Sequence, residues 1–210
     1  MAKALAVIAA FAFAWAAWSG VASGRGHGEL RPAVNVNRNL SLELVGQFQN
    51  SPPGVTPATH IHYGYVSYIR GLSVFRGEPA GEATAQFTFY AEAATTRVIV
   101  DGPLRVITRL GKLTIYRDPS TNGDFADPDS FRDGTPVLVA GFRQEVVNNT
   151  VTNTFSTFHQ DTITATRAFS AGGRQVQLGR VGEAFRTVFN GQGNMPGPPS
   201  GYFGGYAVSG

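Results

Sequence analysis

Residues 83 to 92 read Ala-Thr-Ala-Gln-Phe-Thr-Phe-Tyr-Ala-Glu, an alternation with a period of two. Successive side chains on a strand point to opposite faces. The alternation therefore predicts a core face of Ala83, Ala85, Phe87, Phe89 and Ala91, and a wet face of Thr84, Gln86, Thr88, Tyr90 and Glu92. The same period starts near Asn39, where Leu40, Leu42 and Leu44 alternate with Ser41, Glu43 and Val45. Further strands are expected over Arg97–Val100, Leu104–Arg109, Lys112–Arg117, Val137–Val147, Thr150–Phe158, Asp161–Ala168, Arg174–Leu178, Gly182–Asn190 and Tyr202–Val208. Turn signals separate them: Asp101-Gly102-Pro103, a break at Gly111, Asn148-Asn149, Gly172-Gly173 and the Gly/Pro-rich run 191–201. No amphipathic helix longer than a turn or two is visible after the first residues.

Roughly nine or ten short strands without helices indicate an all-β chain. An antiparallel barrel of about eight main strands is preferred to a sandwich, because closure removes the exposed edges that invite aggregation. The chain has no cysteine, so burial alone must hold the fold. A hydrophobic share of 42% is enough for a packed core.

The N-terminus reads as an export signal. Met-Ala-Lys precedes an apolar run from Ala4 to Trp18 and a small-residue exit, Ser-Gly-Val-Ala-Ser. That run is short for a membrane span of about 20 residues. The organisation expected is a signal peptide over 1–23, a flexible lead-in over 24–38 and a single barrel domain over 39–210, secreted or periplasmic. No membrane span is expected in the mature chain. Seventeen Lys and Arg against 14 Asp and Glu, with no basic run, argue against nucleic-acid binding.

Three groups of residues could carry chemistry. On the strand His60-Ile-His-Tyr-Gly-Tyr-Val-Ser-Tyr-Ile-Arg70, equal parity predicts that His60, His62, Val66, Tyr68 and Arg70 share a face. A titratable pair, a phenol and a fixed cation could then meet one ligand. A metal would need a third ligand, and His159 is the mid-chain histidine available. Ordinary packing of hydrogen-bonded histidines explains the same pattern.

The second group is the acidic run from Asp118 to Asp133, with Asn122, Asp124, Asp127 and Asp129 as calcium candidates. Its spacing departs from the twelve-residue calcium loop, and a chain of Asx turns fits it better. In the third, Tyr202 and Tyr206 share a parity across Gly204, which suits an aromatic ligand wall or a packed closing strand with a close approach at the glycine.

Hydrolase, Walker and dinucleotide signatures are missing, and the lack of cysteine excludes thiol nucleophiles. No cofactor is expected.

The stretch from Leu113-Thr-Ile-Tyr-Arg-Asp-Pro to Asp129-Ser-Phe-Arg-Asp-Gly-Thr-Pro, with Gln177-Leu-Gly-Arg-Val-Gly and Gly201-Tyr-Phe-Gly-Gly-Tyr, resembles uncharacterised exported bacterial proteins. Their plan is similar to allene oxide cyclase-like and dirigent-like barrels. The likeness covers most of the mature chain and assigns no functional residue. It implies an eight-stranded barrel whose apolar cavity binds or shapes a small hydrophobic molecule. The expected function is binding of a small apolar or aromatic ligand through His60, His62, Tyr68, Arg70, Tyr202 and Tyr206. A cyclase- or isomerase-type enzyme on the same barrel and a self-assembling surface protein are the alternatives.

Overall fold

The computed structural model describes residues 40–193 and 200–209. The expected signal peptide and lead-in lie outside them. Eight strands close into an antiparallel barrel: β1 (Ser41–Asn50), β2 (Thr59–Ile69), β3 (Phe87–Asp101), β4 (Leu104–Arg117), β5 (Thr135–Asn149), β6 (Thr154–Thr166), β9 (Ala184–Gly193) and β10 (Ser200–Ser209). Around the barrel the order is β1-β10-β9-β6-β5-β4-β3-β2, so β1 is hydrogen-bonded to both β2 and β10. A hairpin of β7 (Phe169–Ala171) and β8 (Arg174–Val176) stands apart from this sheet. The barrel is closed, so the sandwich is set aside. Among the described residues no helix is long and apolar enough to cross a membrane.

The interior follows the parity of the strands. Leu42, Leu44, Phe48, Phe87, Phe89, Leu113, Ile115, Phe142, Phe189 and Phe203 are buried in one cluster. Inward glycines make room for its rings. A Cβ built on Gly46 would stand 2.8 Å from the rings of Phe89 and Phe203, and one on Gly111 2.5 Å from Phe142. Gly191, Gly201 and Gly205 are covered in the same way by Phe155, Phe48 and Phe189. Small residues opposite large ones pack the middle of a narrow barrel.

Several boundaries differ from expectation. Gly111 does not break the chain; β4 runs through it, and its missing side chain leaves room for the Phe142 ring, 2.5 Å from where a Cβ would stand. Asn148 and Asn149 end β5, and the turn falls at 150–153. The expected strands 150–158 and 161–168 are one strand, β6. The predicted wet face of β3 is also covered. Thr88 and Tyr90 point outward as the alternation requires, yet both are buried, and the segment after β4 folds back over Tyr90. Its Phe125 and Phe131 pack with Tyr63 and Tyr90 in a second apolar cluster. Arg132 lies 4.7 Å over the ring of Tyr90.

Candidate ligand cavity

β1, β3, β5 and β9 finish at the same end of the barrel where β2, β4, β6 and β10 begin. A cavity of about 400 Å³ occupies that end. Phe48, Ile107, Val146 and Phe155 form its apolar walls, and Asn50, His60, His62, Arg109 and Thr157 bring polar groups to it. A second cavity, of about 500 Å³, lies between Leu72, Phe87, Arg117 and the β7–β8 hairpin.

The first cavity rests on a buried polar network. Arg109 is 7% exposed and donates from Nε to Thr95 Oγ1 at 3.4 Å, from Nη1 to Gln144 Oε1 at 3.2 Å and from Nη2 to Asn50 Oδ1 at 3.1 Å. Asn50 Oδ1 also lies 2.5 Å from His60 Nδ1. An amide oxygen only accepts, so His60 Nδ1 carries the proton that it donates. In neutral His60 the Nε2 is then an acceptor, and His62 Nε2–H donates to it. On the other side Gln144 Nε2 donates to His159 Nε2 at 3.0 Å. With Nε2 accepting from Gln144, His159 turns Nδ1 toward Asp161 Oδ1, 3.7 Å away. Thr187 donates to Asp161 Oδ2 at 2.8 Å. The guanidinium thus orients two amides, and each amide sets the tautomer of one histidine.

Burial holds His60 well below the usual histidine pKa, with neighbouring His62, Arg109 and His159 adding to the effect. His62 is lowered in the same direction, by burial first and then by His159 and Arg109. Both imidazoles are neutral at pH 7. Burial also lowers Arg109, to about 10, so it remains a cation. None of the ion pairs among the described residues involves it.

No family model, no curated protein and no solved structure matches this chain.

The sequence-predicted residues separate into two sets. His60 and His62 line the cavity; His159 does not line it but stacks behind His62, the ring centroids 6.0 Å apart. Tyr68 and Arg70 do not. Leu44 pairs with Val66 but Glu43 pairs with Tyr68, so Ser67 is an extra residue in β2. This bulge reverses the parity: Ile69 turns inward, while Tyr68 is 42% exposed and Arg70 is exposed. Tyr202 and Tyr206 share a face as expected, but it is the outer one, where they are 54% and 50% exposed. Gly204 between them is not a close approach, since a Cβ there would meet only Leu44 O at 3.9 Å.

The acidic segment is built of Asx turns. Asp124 Oδ1 accepts from Ala126 N and Asp127 Oδ1 from Asp129 N. Asn122 donates to Asp133, and Asp129 pairs with Arg132 at 2.7 Å. Among the described residues no group of three or more His, Asp or Glu side chains is placed to hold a metal ion.

Sequence reasoning missed Asn50, Arg109, Gln144 and Thr157. A signal for Gln144 is present: it is the polar member of the parity Ala140, Phe142, Gln144, Val146. Arg109 likewise shares the parity of Gly111, Leu113 and Ile115.

Proposed function

We propose that the chain is an exported β-barrel that binds a small apolar or aromatic molecule in the cavity bounded by Phe48, Phe155, Ile107 and Val146. The observation that carries this reading is a concave space of about 400 Å³ with apolar walls around a few convergent polar groups. Its volume lies within the range of roughly 300–1,000 Å³ common for small-molecule sites. Export is supported by the leader-like N-terminus, and the likeness to allene oxide cyclase-like and dirigent-like barrels is in keeping with such a cavity. The outer surface fits an aqueous setting: Glu92, Lys112, Arg143, Gln160 and Arg186 are exposed in mid-strand, where a lipid-facing band would be apolar.

A cyclase- or isomerase-type reaction is the second reading. It is favoured by neutral imidazoles of set tautomer beside a fixed cation, a combination able to move a proton and to stabilise developing negative charge.

Native mass spectrometry of protein purified from its own source tests both. A co-purified small molecule is expected in the wild type and is lost in Val146→Trp, which puts an indole ring into the cavity. Retention of the same molecule in Val146→Trp would place it elsewhere and overturn the site. Conversion of the retained molecule on incubation distinguishes the enzyme from the binder. The same preparation, sequenced from its N-terminus, should begin near residue 23. An intact Met1 end on exported material would overturn the cleaved leader.

A further inference from the structure

We propose that the cavity takes an apolar organic acid as its carboxylate, the head bound by Arg109 and the hydrocarbon or aromatic body lying against Phe48 and Phe155. The inference rests on the cavity reading above and adds the chemical class of the ligand.

Arg109 is a charge buried inside the barrel, and none of the ion pairs among the described residues includes it. Its three hydrogen-bond acceptors, Thr95 Oγ1, Gln144 Oε1 and Asn50 Oδ1, are all neutral oxygens. Asp161, the carboxylate at the far end of the same network, is held by Thr187 and faces His159, with Gln144 standing between His159 and Arg109. His60 and His62 beside the cation are neutral, so neither offsets the guanidinium. A cation removed from water without a counter-charge is unfavourable, and an entering anion relieves it.

The hydrogen-bond count agrees with the charge. A guanidinium has five N–H groups, and the bonds to Thr95, Gln144 and Asn50 engage three of them. Among the described residues, one N–H on each of Nη1 and Nη2 is left without an acceptor, a pair suited to a two-oxygen acceptor. Thr157 also lines the cavity, and its buried Oγ1 has no hydrogen-bond partner among the described residues. The apolar walls select the rest of the molecule. A small inorganic anion would leave Phe48, Phe155, Ile107 and Val146 without contact, whereas an alkyl or aryl chain covers them.

Isothermal titration of the folded full-length chain at pH 7.5 tests this with octanoate and 3-phenylpropanoate. Octan-1-ol, 3-phenylpropan-1-ol and inorganic phosphate serve as comparisons. The acids are expected to bind about tenfold or more tightly than the alcohols, because charge-assisted hydrogen bonds are roughly twice as strong as neutral ones. Arg109→Gln should bring each acid down to the affinity of its alcohol, and Val146→Trp should remove both. Should Arg109→Gln not fold, Arg109→Lys keeps the charge, loses the fork and is expected to retain only part of the preference. Equal binding of acid and alcohol by the wild type overturns the carboxylate and leaves the cavity reading standing. Phosphate binding as tight as that of octanoate overturns the apolar acid. No binding by any probe overturns the inference together with the cavity reading. The two acids separate an aliphatic from an aromatic body.

Discussion

Phe89 and Thr88 are neighbours on β3 with opposite chemistry and nearly equal burial, 1% and 0% exposed. Phe89 packs inside the barrel, its ring centroid 6.1 Å from that of Phe203. Phe89→Ala removes a whole ring and leaves a cavity, so it should cost about 3–5 kcal/mol in urea unfolding. Thr88 points outward yet is buried, and its Oγ1 has no hydrogen-bond partner among the described residues. A hydroxyl in that position costs free energy, of order 1–3 kcal/mol when fully unsatisfied. Thr88→Val replaces it with a methyl of the same shape, so the expected change is neutral or stabilising. A loss for Thr88→Val comparable to that for Phe89→Ala would show that the hydroxyl is bonded after all.

Strands in this barrel tolerate glycine where a ring from the neighbouring strand lies across it. Gly111 sits in the middle of β4, and a Cβ there would come within 2.3 Å of Glu92 O and 2.5 Å of Phe142. The backbone contact cannot rotate away. Gly111→Ala is therefore expected to destabilise by about 1–3 kcal/mol through overpacking. Gly204 of β10 is the internal control, because its built Cβ meets nothing nearer than 3.9 Å. Gly204→Ala should be neutral or slightly stabilising, since alanine loses less backbone freedom on folding than glycine. Equal thermal shifts for the two variants would contradict the packing described. The bulge at Ser67 acts on the same level. One inserted residue sends Tyr68 outward and Ile69 inward, separating two of the expected site residues from the histidines.

For the molecule as a whole, the buried histidines tie stability to pH. His60 and His62 have folded-state pKa values well below that of an unfolded histidine, about 6.5. Above pH 6.5 both states hold them neutral, and the folded state is not penalised. As pH falls below about 6.5 the unfolded chain takes up protons that the folded barrel refuses, so stability falls with pH. Each histidine contributes at most about 1.4 kcal/mol per pH unit in that window. The melting temperature should be level from pH 8 to 7 and drop between pH 6.5 and 5. A profile flat to pH 5 would mean that the imidazoles accept protons inside the fold. An acid bound at Arg109 should lessen the drop, because its negative charge favours imidazolium nearby.

The period of two along the chain determined the all-β class, the identity of the inward faces and the barrel itself. Each of these depends only on alternation and on the need to close exposed strand edges. Phe87, Phe89 and the Leu40–Leu44 series were readable because burial on a strand repeats every second residue. His60 and His62 were readable for the same reason, lying on one parity before any irregularity. Tertiary structure decided what alternation cannot express. A single bulge at Ser67 inverts every later assignment on β2, and only its partner strand reveals it. The outer face of β3 became a second core because Phe125 and Phe131 arrive from a segment about forty residues further on, a non-local contact with no trace in the local pattern. The cavity and its cation were decided in the same way. Asn50, Arg109 and Gln144 lie on β1, β4 and β5, and only closure of the barrel brings their polar ends together over His60.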